Sequence, residues 1–403
     1  MANSEQDIHD YQVPNLVNKL VQFFGRTTVE KCLRKYEDSL KSAGPVFREY
    51  YLKTRHPWWN AFVTYFELEK AGKSIRKNLT EEIEKLAADA KKISLLRKQM
   101  PESVLKKYKK DLLDKNRAYD YLFEIEIAWH FYLRGAIIEW HEDRGKGHAE
   151  FLVRTPDFEF DVECKRISVD SSRKIRRRDF YRFAEKLLSE VQKRNYTGTI
   201  DIIIKDRLHS SSKFINELVT EVIDVIVSGH TGGKYPIHHG HVSLNLTTAI
   251  GTPVDFEARW PELWKRKSHQ GHGAIFANER DDRPIDAVEI TLRSEKADTV
   301  LEGIEDRISI AAKHQLDKSR PGLISCFLEG VNDLDELADE SALQIMSYRL
   351  LAKPELAHVA AISYCSETIP KSYYNTKTYN NQGLIFRNPS CRFEEAKVYQ
   401  FLS

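Results

Sequence analysis

"TPDFEFDVECKRIS", residues 155–168, alternates apolar and polar side chains through its second half, the period of a half-buried strand. With Phe160, Val162 and Cys164 turned inward, Glu159, Asp161, Glu163 and Lys165 follow one another along the opposite face. Like charges on one strand face repel, and Asp and Glu are poor strand formers. A solvated polar face is one reading of the row. A cation held against it is the other, and it gives the repeated acids a purpose.

What precedes the row decides its geometry. Thr155-Pro156-Asp157-Phe158 is a turn sequence with proline at its second position. A two-residue loop there sets Thr155 opposite Phe158 and predicts the cross-strand pairs Arg154–Glu159, Leu152–Asp161 and Glu150–Glu163. Paired side chains stand about 5 Å apart, close enough for two carboxylates to share one cation. Asp157 lies six residues from Glu163, about 20 Å in an extended strand. Ligand oxygens of Mg2+ sit about 2.1 Å from the ion, so Asp157 and Glu163 reach one ion only if the chain folds back. Glu150 is the preferred partner and Asp157 the alternative, because a longer loop would shift the register by one or two residues.

The rest of the chain supplies context. Its 403 residues are 41% apolar, ample for a large core or two domains, and the net charge of +2 gives no global basic excess. A nucleic-acid partner must therefore be sought in local clusters. The five cysteines are odd in number and scattered, which suits reduced thiols in a cytoplasmic protein. The N-terminus lacks a basic and apolar leader pattern and no apolar run approaches ~18 residues, so no signal peptide or membrane span is expected.

Residues 1–118 read as a helical region. "NLTEEIEKLAADAKKISLLRKQM" opens on a cap at Asn78–Thr80 with acids in its first turn. "PESVLKKYKKDLLDKNRAYDYLFEIEIAWHFYLRG" (101–135) is long for one helix and predicts a break near Asn116. Residues 119–403 read as the second domain: strands at 136–140, 150–155, 158–167, 198–206, 241–246, 286–292, 321–330 and 358–365, interleaved with helices at 173–194, 212–229 and 301–316. Strands alternating with helices argue for an α/β domain.

The Glu163-x-Lys165 pair on an apolar strand, with a cross-strand acid and an upstream helix in "FEIEIAWHFYLRG", resembles the PD-(D/E)xK nuclease superfamily. The order helix, strand, hairpin, helix, strand is matched over 119–206. The resemblance implies a restriction-endonuclease-like fold, a mixed central sheet flanked by helices, following an N-terminal all-helical region. It implies a Mg2+- or Mn2+-dependent nuclease with a restriction or defence role, an endonuclease on DNA being preferred while RNA as substrate and exonuclease action stay open. Glu150 and Glu163 would bind the metal, Lys165 would orient the attacking water, and Glu124 would complete the metal shell. Glu126 is the alternative to Glu124, since residues two apart cannot share a helix face. The departure from the pattern is a glutamate, Glu150, where the family usually has aspartate.

Directly after this strand, residues 171–194 hold nine Lys/Arg against three acids. Arg173, Lys174, Arg176, Arg177 and Arg178 gather at a predicted helix start, where phosphate is favoured, and read as a nucleic-acid backbone contact. The histidines of "GHTGGKYPIHHGHVSL" match no common zinc spacing and read as a polar loop. Gln315 recurs in nuclease-like helices, but packing accounts for it equally well. A protein partner for the helical region and a homodimer both remain open. So does a catalytically inactive nucleic-acid-binding or scaffolding protein on the same fold.

Overall fold

The strand quoted above is the hub of a six-stranded sheet. The computed structural model describes residues 8–42, 56–141, 148–267, 271–281, 283–329, 342–366, 384–393 and 398. They form a mixed α/β protein, with eleven α-helices and two mixed sheets among the described residues. The chain divides into two compact units: Met1–Ser39, Arg55–Val169 and Leu301–Ser403 make the first; Leu40–Thr54 and Asp170–Val300 make the second.

The first unit opens with helices α1 (Val13–Phe24), α2 (Arg26–Ser42), α3 (Trp59–Lys70), α4 (Glu81–Leu96), α5 (Glu102–Asp111) and α6 (Ala118–Tyr132). Thr80 caps α4 by accepting the Ile83 N–H at 3.4 Å, and three glutamates fill its first turn, where the helix dipole favours negative charge. The expected break in residues 101–135 falls between α5 and α6, and Gly135 adopts φ +82° just beyond α6. Val17, Leu20, Val21 and Phe24 of α1 recur at helical spacing and share one core with Ile83, Leu86 and Ala90 of α4.

The same core covers one face of the sheet. Strands β1 (Ile137–Trp140), β2 (Phe151–Arg154) and β3 (Glu159–Ser168) form an antiparallel meander. Phe160, Val162 and Cys164 of β3, with Phe151 and Val153 of β2, join Ile125, Ala128 and Phe131 of α6 in that core.

On its other edge β3 pairs in parallel with a strand from far along the chain. The parallel neighbour is residues Gly322–Glu329, which in turn pair in parallel with Val359–Ser366. Both are buried almost throughout, as parallel strands covered on two faces require. A helix, Val300–His314, precedes Gly322–Glu329. The helix and strand closing this sheet beside β3 therefore come from 300–329. The pattern read over 119–206 is corrected: the helix and strand after β3, Arg177–Lys193 and Tyr196–Ile204, belong to the second unit and to another sheet.

In the second unit, α7 (Arg177–Lys193) and α8 (Ser212–Val227) pack against strands β4 (Tyr196–Ile204), β5 (Gly232–Ile237) and β6 (Gly240–Thr248) through one core. Helix α9 (Phe256–Lys267) and strands β7 (Gly271–Arg280) and β8 (Arg283–Ser294) complete it, in the sheet order β5-β6-β4-β8-β7. The histidine-rich stretch read as a loop is a β5–β6 hairpin, because Gly232–Ile237 zips antiparallel onto Gly240–Asn245. Returning to the first unit, α10 is Val300–His314, β9 Gly322–Glu329, α11 Ala342–Leu351, β10 Val359–Ser366 and β11 Leu384–Arg387, giving the sheet order β1-β2-β3-β9-β10-β11. No helix among the described residues is long and apolar enough to cross a membrane.

Candidate functional site

The β2–β3 hairpin has the register that its turn chemistry predicts. Thr155 N–H donates to the Phe158 carbonyl at 2.9 Å, closing a two-residue loop at Pro156-Asp157. Arg154 then pairs with Glu159, Leu152 with Asp161 and Phe151 with Val162. Continuing by one residue brings Glu150 beside Glu163, and Glu150 Oε2 accepts the Cys164 N–H at 3.1 Å. Asp157 is exposed at the turn tip, so the literal "PD" belongs to the loop.

Alternation sorts the neighbouring groups by face. Glu163 and Lys165 lie on the face opposite Cys164, with Glu150 across the ladder. Glu163 is 1% exposed, and the Lys165 side chain, 21% exposed, rests its ammonium against Oε1 of Glu163. Apart from that ammonium, neither Glu163 oxygen has a hydrogen-bond donor among the described residues. Burial pulls the pKa of Lys165 down, but the charges of Glu163 and Glu150 outweigh it, and the net shift is upward. The lysine is held as an ammonium.

Glu124 is placed differently. It is buried on α6 and accepts a hydrogen bond from Tyr108, whose ring packs on Trp140. One turn earlier on α6, Asp120 pairs with Arg166 at 3.3 Å. This stripe of α6 thus faces Cys164 and Arg166, the side of β3 away from Glu163 and Lys165. Glu126 pairs with Lys92. Burial pushes the Cys164 thiol well above its ordinary pKa, and the charges of Glu150, Glu124 and Glu163 push it further, so all three carboxylates act on this part of β3.

The outer acids of the row are compensated one by one, by the predicted cross-strand Arg154 and by residues that the sequence pattern did not mark. Glu159 has Arg154 at 3.4 Å and Arg320 at 3.5 Å. Asp161, 2% exposed, accepts the Asp317 N–H at 3.2 Å and has Arg320 at 3.9 Å and His141 at 4.0 Å. His141 also donates its backbone N–H to the Glu150 carbonyl at 3.2 Å, continuing β1 alongside β2. The only sequence signal for His141 was its place one residue beyond the predicted strand. Arg320 had none, because it arrives from the turn before β9.

Among the described residues no three His, Cys, Asp or Glu side chains stand as a ready cage for a metal ion. The donor chemistry nevertheless fits Mg2+ or Mn2+. Both are hard cations, and Mg2+ is usually held by one or two carboxylates with water and substrate oxygens filling the remainder. Glu163, buried and touched among the described residues by the Lys165 ammonium alone, and Glu150 beside it supply such a pair.

The basic segment lies in the second unit. Arg176 is the N-cap residue of α7, and the Arg177 N–H donates to Asp170 at 2.8 Å. The Lys174 N–H donates to Asp298 at 2.6 Å, the Arg173 N–H donates to the Asp170 carbonyl at 3.3 Å, and the Arg178 side chain is exposed. Asp170 also lies 3.5 Å from His272, so a native carboxylate already caps this helix start. Among the histidines of the β5–β6 hairpin, His239 is paired with Glu221. Comparison of the chain with family models, with curated proteins and with solved structures gives no match.

Proposed function

We propose that the protein is a metal-dependent nuclease on a restriction-endonuclease-like core, hydrolysing phosphodiester bonds in DNA rather than RNA. The observation that carries this reading is the hairpin register, which sets Glu150 beside Glu163 with Lys165 two residues on. The order α6, β1, β2, β3, α10, β9, with β3 and β9 parallel, supports it as the topology that the PD-(D/E)xK resemblance calls for. A carboxylate as buried as Glu163 is costly to maintain, and such groups gather at functional sites.

In this reading Glu150 and Glu163 hold the metal through carboxylate oxygens. A bound Mg2+ or Mn2+ polarises a phosphoryl oxygen and makes water a nucleophile near neutral pH. Lys165 orients the attacking water and offsets charge that builds on the phosphate. Glu124 adds negative charge behind β3 rather than an oxygen ligand. Arg173, Lys174, Arg176, Arg177 and Arg178 contact the nucleic-acid backbone. The resemblance carries a restriction or defence role and a homodimer, while the scattered cysteines carry a cytoplasmic location and the helical region a protein partner.

Plasmid cleavage with Mg2+, Mn2+ or EDTA tests the reading, comparing wild type with Lys165→Ala. Metal-dependent cutting that this substitution removes is the expected result. No cutting by the wild type, together with no metal binding, would end it. One observation favours a second reading, a catalytically silent nucleic-acid-binding or scaffolding protein: each acid of the row already has a cation beside it. Salt-sensitive DNA binding without cleavage is its signature.

A further inference from the structure

We infer that Lys165 is an internal counter-ion occupying the metal's place on Glu163, so that the site is loaded by exchange: a divalent cation displaces the ammonium, which then swings toward the substrate phosphate. The inference rests on the metal-dependent reading above and concerns how that same site is regulated.

Glu163 is buried to 1% exposure, and apart from the Lys165 ammonium no described donor reaches either of its oxygens. Burying a carboxylate in that condition is unfavourable unless a cation neutralises it. Lys165, against Oε1, is the described group that does so. Mg2+ would approach that oxygen to about 2.1 Å. Two cations a few ångströms apart in so desolvated a place repel strongly.

One of the two must leave, and the lysine has the means. Its four-carbon stem is flexible, and its side chain is partly exposed while that of Glu163 is not. Glu150 behaves otherwise, since its Oε2 is anchored on the Cys164 N–H and keeps its place whether or not the lysine moves. The metal-free site is thereby self-neutralised. The group that neutralises it becomes available to an anionic phosphate only once the metal has arrived.

The test is Mn2+ titration of the full chain by calorimetry at pH 8, with no nucleic acid present. Lys165→Met is expected to bind Mn2+ about tenfold or more tightly than wild type, because its binding no longer has to displace an ammonium. Lys165→Arg keeps the charge and adds a second bond to the carboxylate, so it is expected to bind several-fold more weakly. Glu163→Gln should lose binding. Wild-type binding that is unchanged or weakened in Lys165→Met overturns the exchange while leaving the nuclease reading standing. Absence of Mn2+ binding in both wild type and Lys165→Met overturns both. If Lys165→Met fails to fold, Lys165→Arg still decides, since tighter binding there contradicts the competition.

Discussion

Replacing Glu150 and Asp157 separately distinguishes the hairpin geometry from the literal "PD" motif. Glu150 is buried and its Oε2 takes the Cys164 N–H at 3.1 Å. Glu150→Ala leaves that buried N–H without its acceptor, which costs about 1–3 kcal/mol. At ~2–4 °C per kcal/mol for a unit of this size, Tm falls by several degrees. Glu150→Gln keeps an acceptor oxygen and loses the charge, so its stability stays within about 1 kcal/mol of wild type. Its metal-dependent cleavage should nevertheless fall by more than about 100-fold, since even groups one shell removed from a metal are worth 10–100-fold. Asp157→Ala touches an exposed turn residue about 20 Å along the strand from Glu163, and both stability and activity should be unchanged, the former within ~0.5 kcal/mol. Thermal unfolding and plasmid nicking on the three variants make the comparison. An inactive Asp157→Ala beside an active Glu150→Gln would refute the reasoning.

Other consequences are independent of the metal. His56 is buried with Nε2 2.7 Å from the Leu112 carbonyl while Nδ1 accepts the Trp58 N–H at 3.1 Å, so protonation breaks a bond, and burial holds its pKa down at about 4 against an ordinary 6.5. The unfolded chain then binds the extra proton first: the contribution is neutral above pH 6.5 and destabilises progressively down to about pH 4, by about 3 kcal/mol. Urea unfolding between pH 7 and 4.5 should show that loss flattened in His56→Leu, and an equal slope in both proteins would contradict it. Gly198 sits in β4 at φ +127°, and a Cβ there would stand 2.1 Å from the Asn245 carbonyl oxygen, so Gly198→Ala should destabilise the protein by more than about 2 kcal/mol in the same assay. If α7 begins on a nucleic-acid backbone, Arg178→Ala should reduce the log–log salt slope of DNA binding by about 0.9. An unchanged slope would remove Arg178 from that contact.

What the sequence determined by itself was local. Alternation over 159–165, the Thr155-Pro156-Asp157-Phe158 turn and the acid opposite Glu163 depend on neighbours a few residues away, and short-range sterics and pleat period decide them. The Thr80 cap and the break between α5 and α6 were legible for the same reason. Strand β5, within the stretch read as a polar loop, was missed because its edge-strand residues show little burial alternation, and its strand character comes from the partner β6.

The tertiary structure decided everything that depended on distant partners. A parallel strand has no turn to announce its neighbour, so pairing of β3 with Gly322–Glu329, rather than with the next strand in the chain, left no local trace. That pairing delivers Arg320 and the Asp317 N–H to Asp161, which explains how a row of like charges can stand on one face. It is also the packing of α6, with Asp120 on Arg166, that turns Glu124 toward Cys164 and away from Glu163. Helical spacing shows which residues share a stripe, but only contact between elements shows which side of a sheet that stripe meets.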